Sequence, residues 1–249
     1  MGLTLGNGLA RDCVASGNGT GFIVGNGAQI NDCAATGNTP GFSAGDRAHI
    51  SNCISTINSD VGFSCGSNVT LIDCTASRNG GHGIVVVASS SVVHCNASRN
   101  ISLNDSLGGK GIMAGTGCTI VDCTAGSNGD VGISVDSGST IRNCTARANI
   151  TDGMRAMSGC QVTGNTCDAN FGKGLSLYER GNRVDGNSFI SNAEVGIANV
   201  GYPNLIIRNS ASGNHPNYSV LNPAASGPIV DMTAGGTITS TSPWANFSY

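Results

Sequence analysis

Apolar residues along this chain alternate with polar ones in runs of three or four, and the runs recur about every 21 residues. The stretch from 132 to 149 shows the unit. Gly-Ile-Ser-Val at 132–135 alternates, a short run follows around Ile141, and Asn-Cys-Thr-Ala occupies 143–146. Alternation with period two is the signature of a strand with one buried face. Gly, Asn, Asp and Ser fill the gaps, which reads as turns. Glycine and β-branched residues are too dense for helix. The spacing therefore predicts three short strands per repeat.

The repeat is clearest at its cysteines, Cys13, Cys33, Cys53, Cys74, Cys95, Cys123 and Cys144, after which the slot continues as Asn165, Asn187 and Asn209. An aliphatic residue lies three positions before, as in Ile30, Leu71 and Ile141, and a small or apolar one two after, as in Ala35, Ala76 and Phe189. An asparagine lies five after, from Asn18 through Asn100, Asn128 and Asn149 to Asn214, and is followed by glycine plus an apolar residue, as in Gly21-Phe22 and Gly132-Ile133. Three strands per 21 residues make a solenoid coil. About ten coils stacked roughly 4.8 Å apart give a rod of about 48 Å. Identical positions then form columns: cysteine, alanine and isoleucine fill a narrow interior, and the asparagines hydrogen-bond along the rod. Glycine is expected where φ is positive or where chains pack closely.

These residues resemble the right-handed parallel β-helix repeat proteins of the pectate-lyase-like superfamily, and bacterial members with the repeat Asn-Cys-Thr-Ala-x-x-Asn-x-x-x-Gly-Ile-x-Val above all. The resemblance covers roughly residues 2 to 220. It implies an all-β, single-stranded right-handed parallel β-helix, and a secreted or cell-surface setting. It leaves activity open, because lyases, hydrolases, epimerases and adhesins share the fold.

Composition narrows the partners. Hydrophobic residues make up 39%, aromatics 4% and charged residues 11%, and the net charge is -3. No basic stripe is present to neutralise a nucleic-acid backbone, and no apolar run is long enough to cross a membrane. Met1-Gly2-Leu3-Thr4 lacks the basic start and apolar stretch of a signal peptide. The eleven cysteines include no Cys-x-x-Cys pair, and seven share one inward column. They read as reduced thiols acting as small hydrophobes, neither zinc ligands nor disulfides.

Two parts of the chain are expected, 1–214 as the repeats and 215–249 as a C-terminal capping segment. The latter carries Tyr218, Trp244, Phe247 and Tyr249, four of the eleven aromatics. Gly2-Leu3-Thr4-Leu5 already matches the coil pattern. A bare solenoid end is an open edge, so a longer natural chain or end-to-end or side-by-side self-association is expected.

Candidate chemistry gathers before the repeat glycine. That column runs His82, Lys110, Val131, Asp152, Lys173 and Val195, with Met113, Ser134, Arg155 and Ser176 facing outward beside it. The resemblance to the lyases implies a basic residue that abstracts a proton next to a uronate carboxylate, with cations neutralising that carboxylate. Arg155 and Lys173 are the catalytic candidates. His82, Lys110, Ser134 and Ser176 are the substrate-binding candidates, and Asp130 with Asp152 would hold Ca²⁺. Between Asn100 and Gly111 the coil is lengthened, and this loop, 101–110, is expected to wall the groove.

Other matches are weaker. Gly81-His82-Gly83 resembles the Gly-His-Gly of polygalacturonases, but Gly83 is the repeat glycine, His82 reads as an exposed turn residue, and no Asp-Asp pair accompanies it. The aspartate cluster of pectate lyases and the Asp-Pro-His-Glu motif of alginate epimerases are missing. A Thr and Ser column, including Thr75, Thr124 and Thr145, resembles ice-binding arrays but is interrupted by Asn96 and flanked by Arg147 and Asp168. The leading expectation is a polysaccharide-interacting β-helix that binds or cleaves acidic polysaccharide near the 101–110 loop. The alternative is a non-catalytic structural or adhesive solenoid within a larger surface protein.

Overall fold

The computed structural model describes residues 2–101, 109–199, 202–221, 226–235 and 237–249. Among these residues the elements are three-residue strands joined by turns, with no helix. The strands form three parallel sheets of eleven, ten and twelve strands, and strand order advances by one coil at a time except at the end of the third sheet, where Asn246–Ser248 precedes Ile229–Asp231. One coil comprises Ile133–Val135 in the first sheet, Thr140–Arg142 in the second and Thr145–Arg147 in the third. Each position pairs with its counterpart one coil on: Ile133 with Met154, Thr140 with Gln161, Thr145 with Thr166. The all-β solenoid expected from the repeat is the fold observed.

Alternation sets the core. In the first sheet the outer two residues of each strand point inward, and in the other two the middle residue does. Phe22, Phe42 and Phe63 open the first inward column, stacked at 4.6 and 4.7 Å between ring centroids with planes within 9°. Ile84, Ile112 and Ile133 continue it, fully buried. A column of alanines in the third sheet leaves room for these large side chains on the facing wall.

Each coil turns three corners, and from the second coil through the ninth each described corner holds a residue at positive φ. In the coil above these are Ser127, Gly138 and Asn143, at 54°, 69° and 52°. The residue after each, Asn128, Ser139 or Cys144, points inward. Where the following coil offers an acceptor at the same position, that side chain receives the backbone N–H; Ala28, Ala48 and Val69, at the corner between the first and second sheets, offer none. Asn128 N donates to Asn149 Oδ1 at 3.1 Å, Cys118 N to Ser139 Oγ at 3.0 Å and Cys123 N to Cys144 Sγ at 3.4 Å. The asparagines add a second link: Asn128 Nδ2 donates to Asn149 Oδ1 and to Ala97 O, both at 3.0 Å. Among the described residues no buried side-chain nitrogen or oxygen lacks a partner.

Two expectations change, and of the two reasons expected for the repeat glycine one holds. The cysteines are free and, except for Cys13, buried, but they are more than small hydrophobes, since each corner thiol takes the place of an asparagine in a hydrogen-bonded column. Cys144 N donates to Asn165 Oδ1 at 2.8 Å where the column changes from thiol to amide. Asn143 and Cys144 form a corner and stand outside the third strand, which begins at Thr145. The repeat glycine does not need positive φ; it needs space. A Cβ on Gly132 would lie 2.6 Å from Asn149 Nδ2 and from Gly153 O.

The chain beyond the repeats carries the columns further. Tyr218–Val220 joins the first sheet and Asn246–Ser248 the third. Asn217 accepts from Asn214, and Asn246 from Asn209, at 2.9 and 3.0 Å. The Tyr218 hydroxyl lies 2.9 Å from the carbonyls of Asn209 and Phe247.

Replacing Asn128 by Ala removes the acceptor of the Asn100 N–H and side-chain amide and the donor to the Ala97 carbonyl, and is expected to cost about 3 kcal/mol in urea unfolding. Gly132→Ala is expected to cost about as much through overlap. Gly138→Ala, where a Cβ meets nothing within 4 Å but φ is +69°, should cost only about 1–2 kcal/mol. A thiol titration of the native chain should count about one reactive cysteine, Cys13, of the eleven. Burial pushes Cys33 up to about 11 and Cys65 up to about 12.

Candidate functional site

The charged column lies where the third sheet turns into the first. Asp152, its one carboxylate, is buried. Arg155 Nε donates to Asp152 Oδ2 at 2.8 Å, Ser176 Oγ to the same oxygen at 2.9 Å, and the Lys173 backbone N–H to Oδ1 at 3.0 Å. Parallel stacking explains the grouping. Position 152 precedes the repeat glycine, Arg155 follows two residues into the strand, and Lys173 and Ser176 are their counterparts one coil on. Burial works to lower the Arg155 pKa; the hydrogen bond and charge of Asp152 outweigh it, with Tyr178 and Asp130 adding, and the guanidinium is held protonated.

The sequence candidates thus divide. Arg155, Asp152, Lys173 and Ser176 come together. Ser176 is buried and holds the aspartate, so it does not face a groove. Ser134 lies on the first sheet between Met113 and Arg155 and is half-buried. His82 is half-buried, and its Nδ1 accepts the Lys110 backbone N–H at 3.0 Å, so it links two coils where an exposed turn residue was expected. Lys110 is half-buried. Asp130 accepts from Thr151 Oγ1 at 2.7 Å.

The donors do not fit Ca²⁺ as arranged. Asp152 already takes three protein hydrogen bonds and the charge of Arg155. Among the described residues no cluster of three or more His, Cys, Asp or Glu side chains could hold a metal ion. Of the long loop, residues 102–108 lie outside the described residues.

Two features escaped the sequence reading. At the corner entering the first sheet, the positive-φ column runs Ile57, Arg78, Arg99 and Ser127. Arg78 and Arg99 occupy the same place in adjacent coils, about 4.8 Å apart, and no ion pair among the described residues involves either. They rim a depression of about 380 Å³ with Ile57, Gly80 and Ile101. The positive-φ slot was the available signal, because any long side chain there must point outward. The second feature is a buried carboxylate on the second sheet. Asp185 accepts from Arg183 Nη2 and Arg208 Nε, both at 2.7 Å, and Arg208 lies 5.4 Å from the centre of the Trp244 ring.

This geometry defines a parallel β-helix built of repeated coils. Residues 98–214 match the family model described as a right handed beta helix region, and the same coil geometry extends on both sides of that segment. The mannuronan C-5 epimerase AlgE6 A-module of Azotobacter vinelandii superposes with a TM-score of 0.68 at 13% identity, over 100% of this chain and 91% of that one. The AlgE4 A-module of the same organism gives 0.67 at 15%, over 99% and 86%. The Dettilon tailspike protein gives 0.67 at 12%, and there the chain spans 62% of the tailspike. No curated protein sequence matches the chain. Among the described residues no helix is long and apolar enough to cross a membrane.

Asp185 supplies a pH test. The hydrogen bond from Arg208 pulls its pKa below the usual carboxylate range against burial, with Arg183 adding. A lowered folded pKa stabilises above the unfolded value, about 3.9, and that stability is lost as pH falls through the folded value. Unfolding free energy should therefore drop as acid is added below about pH 4, and Asp185→Asn should flatten that part of the curve.

Proposed function

We propose that the chain binds acidic polysaccharide along the corner between the third and first sheets, across the coils that carry Arg78, Arg99 and Lys110. The observation that carries this reading is the pair Arg78 and Arg99. Two like charges stacked in register repel, and no carboxylate among the described residues relieves them. A polyanion laid across the coils would. Guanidinium groups suit carboxylates through paired N–H donors, and Ile57 and Ile101 offer apolar surface to the sugar rings between the charges. The mannuronan and alginate epimerases among the similar folds act, by their names, on uronate polymers, which supports the same ligand class here. One of them is named as periplasmic, in line with a site of action outside the cytoplasm.

Binding is favoured over cleavage by the state of Arg155. A general base needs an unprotonated nitrogen near neutral pH, and Asp152 works against that. Arg155 with Asp152 instead offers a fixed, hydrogen-bonded group at the far end of the groove, and Lys173 is the residue left to take the base's part in a lyase reading.

The test is calorimetric titration of the full chain with alginate, polygalacturonate and neutral dextran, with unsaturated product followed in parallel. Uronate polymers should bind, dextran should not, and Arg78→Gln with Arg99→Gln should weaken binding at least tenfold and flatten its salt dependence. Product formation lost in Lys173→Ala would establish a lyase. No binding to either uronate polymer would overturn the proposal in favour of a structural or adhesive solenoid.

A further inference from the structure

On the second sheet, a face away from that corner, the chain after the repeats folds back over the coils. Ser226 bridges to Ile206, and Asn246–Ser248 pairs onto the third sheet. Between this segment and the sheet lies a cleft of about 400 Å³, lined among others by Arg183, Leu205, Pro228, Ser242 and Trp244. A cleft of that size takes one or two sugar units.

Its chemistry is mixed in a particular way. Trp244 is 49% exposed, although it is the only tryptophan in the chain and half of its surface could have been covered by the segment it sits in. Arg208 backs the indole at 5.4 Å and is not one of the residues lining the cleft, so the ring is held in place from outside. Beneath, Asp185 is 4% exposed and is shared by two guanidinium groups, Arg183 and Arg208. Two cations on one anion leave the group with one positive charge in excess. Asp185 engages Arg183 through Nη2 at 2.7 Å, and the Arg183 side chain, 45% exposed, brings the rest of its donors to the cleft.

We propose that this cleft is a second binding site, for a single acidic sugar unit: the apolar face of the ring lies on Trp244, and the carboxylate meets Arg183. Aromatic rings supply rigid apolar surface to such ligands at small entropic cost, and an anchored guanidinium selects a carboxylate over a hydroxyl. Asp185 is the positioning residue: it fixes Arg183 and keeps Arg208 against the indole. Ser242 adds a hydroxyl at the rim. The site rests on its own residues and does not depend on the Arg78 and Arg99 groove.

Because Trp244 is the sole tryptophan, emission of the full chain reports on this cleft alone. The chain is titrated with galacturonate and mannuronate trisaccharides, with maltotriose, and with a trinucleotide. A saturable change in emission is expected with the uronates and not with maltotriose. Arg183→Gln should weaken it about tenfold while leaving the ligand-free spectrum unchanged, and Arg78→Gln with Arg99→Gln should leave it intact even where polymer binding is lost. Absence of a saturable change with either uronate overturns the proposal. So does an equal response to maltotriose, or an unaltered affinity in Arg183→Gln. A tighter response to the trinucleotide overturns the sugar as ligand and makes Trp244 a base-stacking platform.

Discussion

A parallel coil has a hydrogen-bond deficit at its corners, and the structure is organised around meeting it. Strand residues pair with the coils before and behind. A corner residue at positive φ swings its neighbour inward, and the N–H of that neighbour points along the rod with no carbonyl opposite. Buried, it would cost as much as a lost hydrogen bond. The side chain at the same place in the next coil accepts it, whether an amide, a hydroxyl or a thiol. At two of the three corners the column is polar, cysteine or asparagine; at the corner between the first and second sheets it is apolar at Ala28, Ala48 and Val69 and polar from Ser90 onward. The two columns that end in asparagine continue through Asn217 and Asn246 after the coil sequence has ended.

The same stacking decides how surface charge behaves. In a compact domain two neighbouring charges are placed independently. Here any charge is offered to the same position one coil away, and the outcome depends on what stands there. At 152 and 155 the column and strand positions bring unlike charges together, and a buried ion pair with a raised arginine pKa results. At 78 and 99 they bring like charges together. At 185 and 208, in the second sheet and the corner after it, two cations share one carboxylate. The three arrangements use the same few residue types and differ only in register.

The fold was legible because the repeat is the fold: spacing of Cys13 to Cys144 gave the coil length, and Gly132-Ile133-Ser134-Val135 gave the alternation. What spacing did not reveal was direction within the turns. His82 looked like a turn residue, but its ring turns back to take the Lys110 N–H. Ser176 looked like a groove hydroxyl, but it lies beneath Arg155 and is spent on Asp152. The cysteines looked apolar because a thiol's hydrogen bonding is visible only against the coil that it meets. Arg78 and Arg99 went unnoticed because the positive-φ slot that exposes them is set by backbone geometry, and residues as unlike as Ile57, Arg99 and Ala148 occupy it.

The lengthened coil shows what this economy permits. The step from Asn100 to Asn128 spans 28 residues, where its neighbours span 21, yet Asn100 Nδ2 reaches Asn128 Oδ1 at 3.0 Å, as in the shorter coils. The extra chain departs after an asparagine whose bonds are complete and rejoins before the glycine that the next coil requires. A coil can therefore be seven residues longer without altering the asparagine column at its corner. Length and sequence can vary at this corner while the asparagine column stays in register.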